Sequence, residues 1–293
     1  MKASIIITTY SRPQFLQRSI LSAQNQRSEF KFEVIVIDDN GLGSKDQIET
    51  EGTLRDKDLL YIALEHNSGA CIARNKGAEM ASGEYLFFLD DDDEFLPKKV
   101  QEQIKFLEEN PELDGCLAAF IRKNEDGKEL ISEANKPIVG DFKNFVLHGN
   151  FFTPMLCIRK SSFEKTDGFI DIPRFQDKFF MINALLRGLK FGTIEEPLHV
   201  MYEHSGARVT AGSVDKTRQA LKQIRTLVEQ YKNNFSNAEW KFFLEKQTRL
   251  LAVTKYVSTD RKIRRSAALD FLKLFFGTYN MSDLAMVVKS LIR

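Results

Sequence analysis

With 293 residues and 43% apolar content, the chain can bury one substantial core and carry a smaller appendage. No apolar run approaches the roughly 20 residues of a membrane-spanning helix, and 24 phenylalanines suit a packed core, not disorder. The net charge of +1 hides an asymmetry: residues 214–293 hold 16 Lys and Arg against 7 Asp and Glu, so the body is acidic, which argues against a nucleic-acid module.

In chain order, Ala3 to Thr9 is a β-branched run without alternation, which predicts a strand covered on both faces. Ser11-Arg12-Pro13 punctuates, and Phe15, Ile20, Leu21 and Ala23 mark one face of a helix to about Gln26. Glu33 to Ile37 predicts a second buried strand ending at Asp38-Asp39, Leu60 to Leu64 a third ending at His66-Asn67, and Tyr85 to Leu89 a fourth. Between the last two, Ala70, Ala73, Gly77 and Ala81 put small residues on one side of a helix that can lie close to the sheet. Further strands are expected over Leu113 to Ile121 and Met155 to Ile158, with helices over Phe142 to Leu147 and Asp177 to Arg187. Beyond about Gly212 the pattern is wholly helical, so two regions are expected: 1–212 and a helical extension, 213–293. The alternation of strand and helix specifies an α/β fold, doubly wound around a mostly parallel sheet, and such sheets bind ligands at the carboxyl ends of their strands.

At those ends stand Thr8-Thr9-Tyr10, Asp38-Asp39, His66-Asn67 and Asp90-Asp91-Asp92-Asp93. Four adjacent carboxylates repel one another unless water or a cation spreads their charge, and their position straight after an apolar strand favours a divalent-cation site. The alternative is an acidic turn capping a helix that begins near Pro97. A calcium loop of the EF-hand type fails, because Phe95 stands where glycine is required and Gln101 where the bidentate glutamate is required. Cys71, Cys116 and Cys157 lack metal-ligand spacing and read as reduced core residues. The N-terminus has neither a basic leader nor a cleavage site, so a cytoplasmic location is expected.

Six segments occur in a telling order. They are Ile6-Ile7-Thr8-Thr9-Tyr10, Val36-Ile37-Asp38-Asp39, Asn67-x-Gly69-x-x-x-Ala73-Arg74-Asn75-x-Gly77, Gly83-Glu84-Tyr85-x-x-Phe88-Leu89-Asp90-x-Asp92-Asp93, Asp167-Gly168-Phe169, and Asp177 followed by a helix closing at Leu185-Leu186-Arg187-Gly188. In this set and order the chain resembles the family 2 glycosyltransferases of the GT-A fold over residues 2–204. The resemblance implies an inverting enzyme, hexosyltransferase-like, that moves a sugar from a nucleotide-diphosphate sugar, UDP-linked by preference, to an acceptor hydroxyl in polysaccharide or glycolipid synthesis. It implies that Thr8 and Tyr10 line the nucleotide base, that Asp39 hydrogen-bonds the uracil, and that Asn67 and Arg74 lie near ribose and diphosphate. Asp90, Asp91 and Asp92 occupy the family's DxD position, with Asp92 the direct ligand of Mn²⁺ or Mg²⁺ and Asp90 contacting ribose or, through water, the metal. Asp177 matches the catalytic base, with Gln176 standing where the family usually has Glu, and His204 matches a histidine that touches metal or diphosphate.

Two rival readings stay open on the sequence. One is a sugar nucleotidyltransferase, although Thr8 to Pro13 contains no glycine for a phosphate loop, and the other is a non-catalytic nucleotide-sugar-binding protein. The basic tail also has two readings: amphipathic helices that pack on the catalytic region, or a peripheral contact with the anionic inner membrane surface near a lipid-linked or saccharide acceptor.

Overall fold

The structure is a computed structural model that describes residues 1–55, 57–124, 126–203 and 213–292. It divides into a first unit, Met1–Asp171 with Gln176–Ser205, and a second, Ile172–Phe175 with Gly206–Arg293. The junction expected at Gly212 lies outside the described residues.

Eight strands build the sheet of the first unit: β1 (Ala3–Thr9), β2 (Phe32–Asp38), β3 (Leu60–Ala63), β4 (Tyr85–Asp90), β5 (Glu94–Phe95), β6 (Gly115–Lys123), β7 (Leu156–Arg159) and β8 (Phe191–Tyr202). Their order is β3-β2-β1-β4-β7-β6-β8-β5. The β3, β2, β1 and β4 half is parallel, as the alternating pattern requires. Antiparallel β7 then sits between β4 and β6, and β5 pairs antiparallel with β8, so the whole sheet is mixed. The chain winds outward from β1 to β3 and returns to β4 on β1's other side. That reversal opens a crevice at the carboxyl ends of β1 and β4.

Both faces of the central strands are covered, which is why their sequences do not alternate. On one face Ile5, Ile7 and Phe87 pack with Leu16, Ile20 and Ala23 of α1 (Pro13–Gln24), Leu54 of α2 (Lys45–Leu54), and Val100, Ile104 and Leu107 of α4 (Lys99–Glu109). On the other, α3 (Ala70–Met80) comes so close that a Cβ on Gly77 would lie 2.3 Å from Ile6 Cγ2. Phe88 on that face joins Phe163 and Phe169, and Phe169 stacks at 4.5 Å on Phe180 of α7 (Gln176–Leu186). Short helices α5 (Phe142–His148) and α6 (Lys160–Phe163) complete this unit.

The second unit contains α8 (Val214–Glu229), α9 (Asn237–Tyr256), α10 (Arg261–Thr278) and α11 (Met281–Ile292). Their starts are written locally: Ser213 caps α8, Ser236 and Glu239 form a reciprocal box on α9, and Asp260 accepts from Lys262 and Ile263 at α10. Ala252, Ala267, Phe271 and Leu274 make a small core, and Arg249 grips the wholly buried Asp283 through Nη1 and Nη2 of its guanidinium.

One buried cation in the first unit breaks the pattern. Lys99 is fully enclosed, donates to Gln103 Oε1 at 2.5 Å, and lies 4.9 Å from the Phe95 ring. Burial pushes its pKa down to about 7. It faces His199, which is also fully buried, is stacked on Phe120, and has no hydrogen-bond partner for either ring nitrogen among the described residues. Because the folded pKa lies below the unfolded one, the unfolded chain holds the extra proton between about pH 7 and 10.5, and stability rises with pH there. The burial penalty is fully present below pH 7. Urea denaturation between pH 7 and 8.5 should therefore show Lys99→Met with a flatter pH dependence than the wild type, by up to about 1.4 kcal/mol per pH unit. Equal slopes would mean that Lys99 stays charged in the fold.

Candidate active site

The carboxyl end of β4 splits its four aspartates into two inward and two outward. Asp91 is buried, accepts from the Thr9 hydroxyl at 2.8 Å and the Tyr10 amide at 3.3 Å, and lies 3.6 Å from Arg12 Nη1. Burial pushes its pKa up to about 7, with Arg12 and Thr9 opposing. Asp93, also buried, accepts from the Tyr202 amide at 3.0 Å and so ties the acidic turn to the end of β8. Asp90 and Asp92 keep partial exposure. The Asp92 carboxylate pairs with Arg12 Nη1, and its carbonyl accepts from Arg18 Nη2 at 2.6 Å. The Ser19 hydroxyl lies within hydrogen-bond distance of the Asp91 and Asp93 carbonyls, at 2.8 and 2.7 Å, which holds the turn against α1.

Arg74 reaches the same place from α3. Its side chain is 9% exposed and donates to Asp90 Oδ1 at 2.6 Å. Burial disfavours its charge, but Asp90 and then Asp177 outweigh that and raise its pKa. A guanidinium placed here has its charge fixed and points to the crevice where β4 ends.

Asp177 lies in the first turn of α7 and is half-buried by surface, with its carboxyl packed among protein atoms. Thr153 holds both carboxylate oxygens: its hydroxyl donates to Oδ1 at 2.6 Å and its amide to Oδ2 at 3.3 Å. Burial raises the pKa of Asp177, Arg74 and Thr153 hold it back, and Asp90 reinforces the rise.

The expected nucleotide-binding residues gather at one strand edge with different degrees of freedom. Thr8, nearly buried, is in register with Ile37 and Asp90, while Tyr10 is half exposed just beyond β1. Asp39 receives the amides of Ser68 and Gly69 on its two oxygens, at 2.7 and 2.8 Å, and Asn67 Nδ2 donates to its backbone carbonyl at 3.2 Å. Asp39 thus also organises the loop that starts α3, beyond the uracil contact expected of it. Its neighbour Asp38 is fully buried and structural, bonded by the Asn40 amide and Tyr61 hydroxyl. His204 lies outside the described residues.

The roles of Asn75 and Gly168, which stand in the matched segments, become visible only in the fold, and those of Arg12, Arg18 and Thr153 carry no signal in the sequence. Arg12 is legible there only as part of a Ser-Arg-Pro break, and Thr153 has no telling spacing, since it reaches Asp177 across 24 residues of chain. Arg18 stands 3.8 Å above the Tyr202 ring and pairs with Glu94 at 3.0 Å, contacts that need β8 beside β5. Asn75 acts as a clamp, because its side-chain amide exchanges two hydrogen bonds with the Phe169 backbone, at 2.8 and 2.9 Å. Gly168, at φ 64°, is required there, because a Cβ would stand 2.5 Å from Asn75 Oδ1.

A mixed sheet with a crevice at its central switch point, lined by acidic and guanidinium groups, defines a GT-A type nucleotide-sugar fold. The family described as "Glycosyl transferase family 2" matches residues 4–167, and the chain belongs to it. It is a glycosyltransferase. An uncharacterized glycosyltransferase of Methanocaldococcus jannaschii is 30% identical over 201 residues, 66% of this chain and 68% of that one. One from Haemophilus influenzae is 28% identical over 245 residues, 81% and 82% of the two chains. The putative teichuronic acid biosynthesis glycosyltransferase TuaG of Bacillus subtilis is 33% identical over 135 residues, 46% of this chain and 50% of that one. Among solved structures, residues 1–349 of S. aureus TarS in complex with UDP-GlcNAc align with a TM-score of 0.59 at 18% identity, covering 99% of this chain and 79% of that fragment.

The Asn75 clamp connects α3 to the loop that carries Phe169 under α7. Asn75→Ala leaves the buried Phe169 amide and carbonyl without that partner, and unfolding free energy should fall by about 1–3 kcal/mol in a urea titration. A loss below the error of the titration would show that the loop holds itself.

Proposed function

We propose that the chain transfers a hexose from a UDP-sugar to an acceptor hydroxyl with inversion of configuration, in the synthesis of a surface polysaccharide or glycolipid. One observation carries the reading: Arg74, Asp90 and Asp177 stand together at the carboxyl edge of the sheet, with both Asp177 oxygens held by the neutral Thr153. The S. aureus neighbour with UDP-GlcNAc and the B. subtilis relative named for teichuronic acid biosynthesis support the substrate class.

In this mechanism the uridine lies along Thr8, Tyr10 and Asp39, with Asn67 toward the ribose. Arg74 meets diphosphate oxygens through its guanidinium face not used by Asp90. Asp91 holds the Thr9–Tyr10 end of β1 in place through its two hydrogen bonds. The acceptor hydroxyl approaches the anomeric carbon from the side opposite the diphosphate, and Asp177 takes its proton as the new bond forms. A carboxyl whose pKa is raised by burial is a better proton acceptor near neutrality than a solvated one.

Asp92 and Asp90 suit Mn²⁺ or Mg²⁺, since both are hard oxygen donors with partial exposure at the strand end. No group of three or more His, Cys, Asp or Glu is arranged for a metal among the described residues, and a cation shared by one or two carboxylates and substrate phosphates needs no such group. When bound, the ion offsets charge on the departing diphosphate. Arg12, now paired with Asp92, is the group that would have to yield to it. His204, outside the described residues, would join this centre on the family resemblance alone.

Release of UDP from UDP-GlcNAc, UDP-glucose and UDP-galactose with Mn²⁺ tests the reading, and at least one should be turned over. Asp177→Asn should lower kcat about 10²–10⁴-fold with donor KM unchanged, while Asp92→Asn should raise the Mn²⁺ and donor requirement. Turnover of none of the three, or full activity in Asp177→Asn, would defeat it.

The proposal extends to the second unit. No helix among the described residues is long and apolar enough to cross a membrane. However, Leu269, Phe276, Tyr279 and Met281 are exposed along with Arg261, Lys262, Arg265 and Lys273, which supports peripheral binding to anionic lipid at the inner face of the membrane. Arg264 is less available, since it is half-buried and donates to the Ser258 carbonyl. Liposome co-sedimentation should rise with anionic lipid and fall with salt, and the quadruple change of Arg261, Lys262, Arg265 and Lys273 to Gln should abolish it. Salt-independent or absent sedimentation would leave the helices with a packing role alone.

A further inference from the structure

Thr153 is wholly buried and begins a 3₁₀ turn, Thr153–Met155, on which nothing in the reaction directly depends. The turn is nonetheless firmly anchored. Pro154 and Met155 are buried with it, the Met155 amide closes onto the Phe152 carbonyl at 3.0 Å, and Gln103 Nε2 donates to the Met155 carbonyl at 3.0 Å. The chain then runs straight into β7, between β4 and β6.

From this platform Thr153 meets Asp177 twice, hydroxyl to Oδ1 and amide to Oδ2. Two donors on two oxygens fix the rotation of the carboxylate as well as its position. Each carboxylate oxygen has two lone pairs, so both keep one to accept a further proton. The alternative cation nearby, Arg74, is committed to Asp90 by a 2.6 Å hydrogen bond and acts on Asp177 only through its charge. A neutral hydroxyl orients the carboxylate without neutralising it.

We propose that Thr153 is the positioning residue of the catalytic base: its hydroxyl sets the angle at which Asp177 meets the acceptor hydroxyl. The inference rests on the reading of Asp177 as the base. Thr153 donates to Asp177 throughout and exchanges no proton with the substrate. Misplacing a reacting group by about 1 Å costs on the order of 10²-fold, so loss of the hydroxyl has a kinetic signature distinct from loss of fold.

The experiment uses the full chain, with UDP release from whichever of UDP-GlcNAc, UDP-glucose or UDP-galactose the wild type turns over fastest. Thr153→Val, nearly isosteric, should lower kcat about 10- to 100-fold with donor KM unchanged, and Thr153→Ser should restore kcat to within about threefold of wild type. In the Asp177→Asn background, Thr153→Val should cost nothing further, because the group it positions is already gone. If Thr153→Val fails to fold, Thr153→Ala carries the same expectations. Wild-type kcat in the hydroxyl-free variant, failure of serine to rescue, or equal losses with and without Asp177 would overturn the inference while leaving the base in place. Full activity in Asp177→Asn would instead remove the base and the inference together.

Discussion

Everything at the edge of this sheet depends on placing four carboxylates in succession without letting them repel the strand end apart. Like charges about 4 Å apart cost on the order of 4 kcal/mol at the dielectric of a protein surface, so the arrangement must be offset locally. The chain does this by alternation. Asp91 and Asp93 turn inward onto hydroxyl and amide donors, and Asp90 and Asp92 turn outward onto guanidinium groups. Arg12 and Arg18 come from the segment after β1 and Arg74 from α3, so β1, α1 and α3 all converge on one turn. The same balance that keeps the turn folded leaves the two outer carboxylates at the crevice.

The Asp177 side of the crevice is built differently, from apolar packing. Phe88 and Phe163 surround Phe169, Phe169 stacks on Phe180, and Asn75 clamps the Phe169 backbone. Burying an aromatic side chain of this kind contributes roughly 1.5–3 kcal/mol, and the cluster anchors α7 through Phe180. Arg74 and Asn75, adjacent on α3, therefore hold opposite sides of the crevice: one faces the acidic turn and the other faces the loop beneath α7. A change in α3 is felt on both sides.

The second unit is held by ordinary helix chemistry, with a serine or aspartate cap at the start of α8, α9 and α10 and a small core of alanine and phenylalanine. Only part of each helix's apolar surface is used there. On α10, Ala267, Ala268, Phe271 and Leu274 are buried, while Leu269 and Phe276 face solvent among basic residues.

The sequence by itself determined the parallel half of the sheet, because β1, β2 and β4 are buried on both faces and their β-branched and aromatic runs have no other stable use. It also determined which residues end those strands, since a strand delivers its next residues to the sheet edge, and this placed Thr8, Tyr10, Asp39, Asn67 and Asp90 to Asp92 in one group, to which the family resemblance added Arg74 on α3. In the other half, where β6 and β7 were legible as strands, the pairing directions and the strands β5 and β8 were decided only by tertiary structure. β5 is two residues long, and β8 carries Glu195, Glu196 and Pro197 in its middle, where its pairing with β6 shifts register, so neither has a period to recognise. Which of the four aspartates turn inward could not be read either, for alternation along a turn depends on donors that arrive from β1 and β8. Lys99 and His199 are buried against every compositional expectation, because β5, β8 and α4 come together around them only in the folded sheet. Thr153 and Asp177 meet for the same reason: a hydrogen bond across 24 residues has no local signature, and only the packing of β7 beside β4 brings the turn before it to the start of α7.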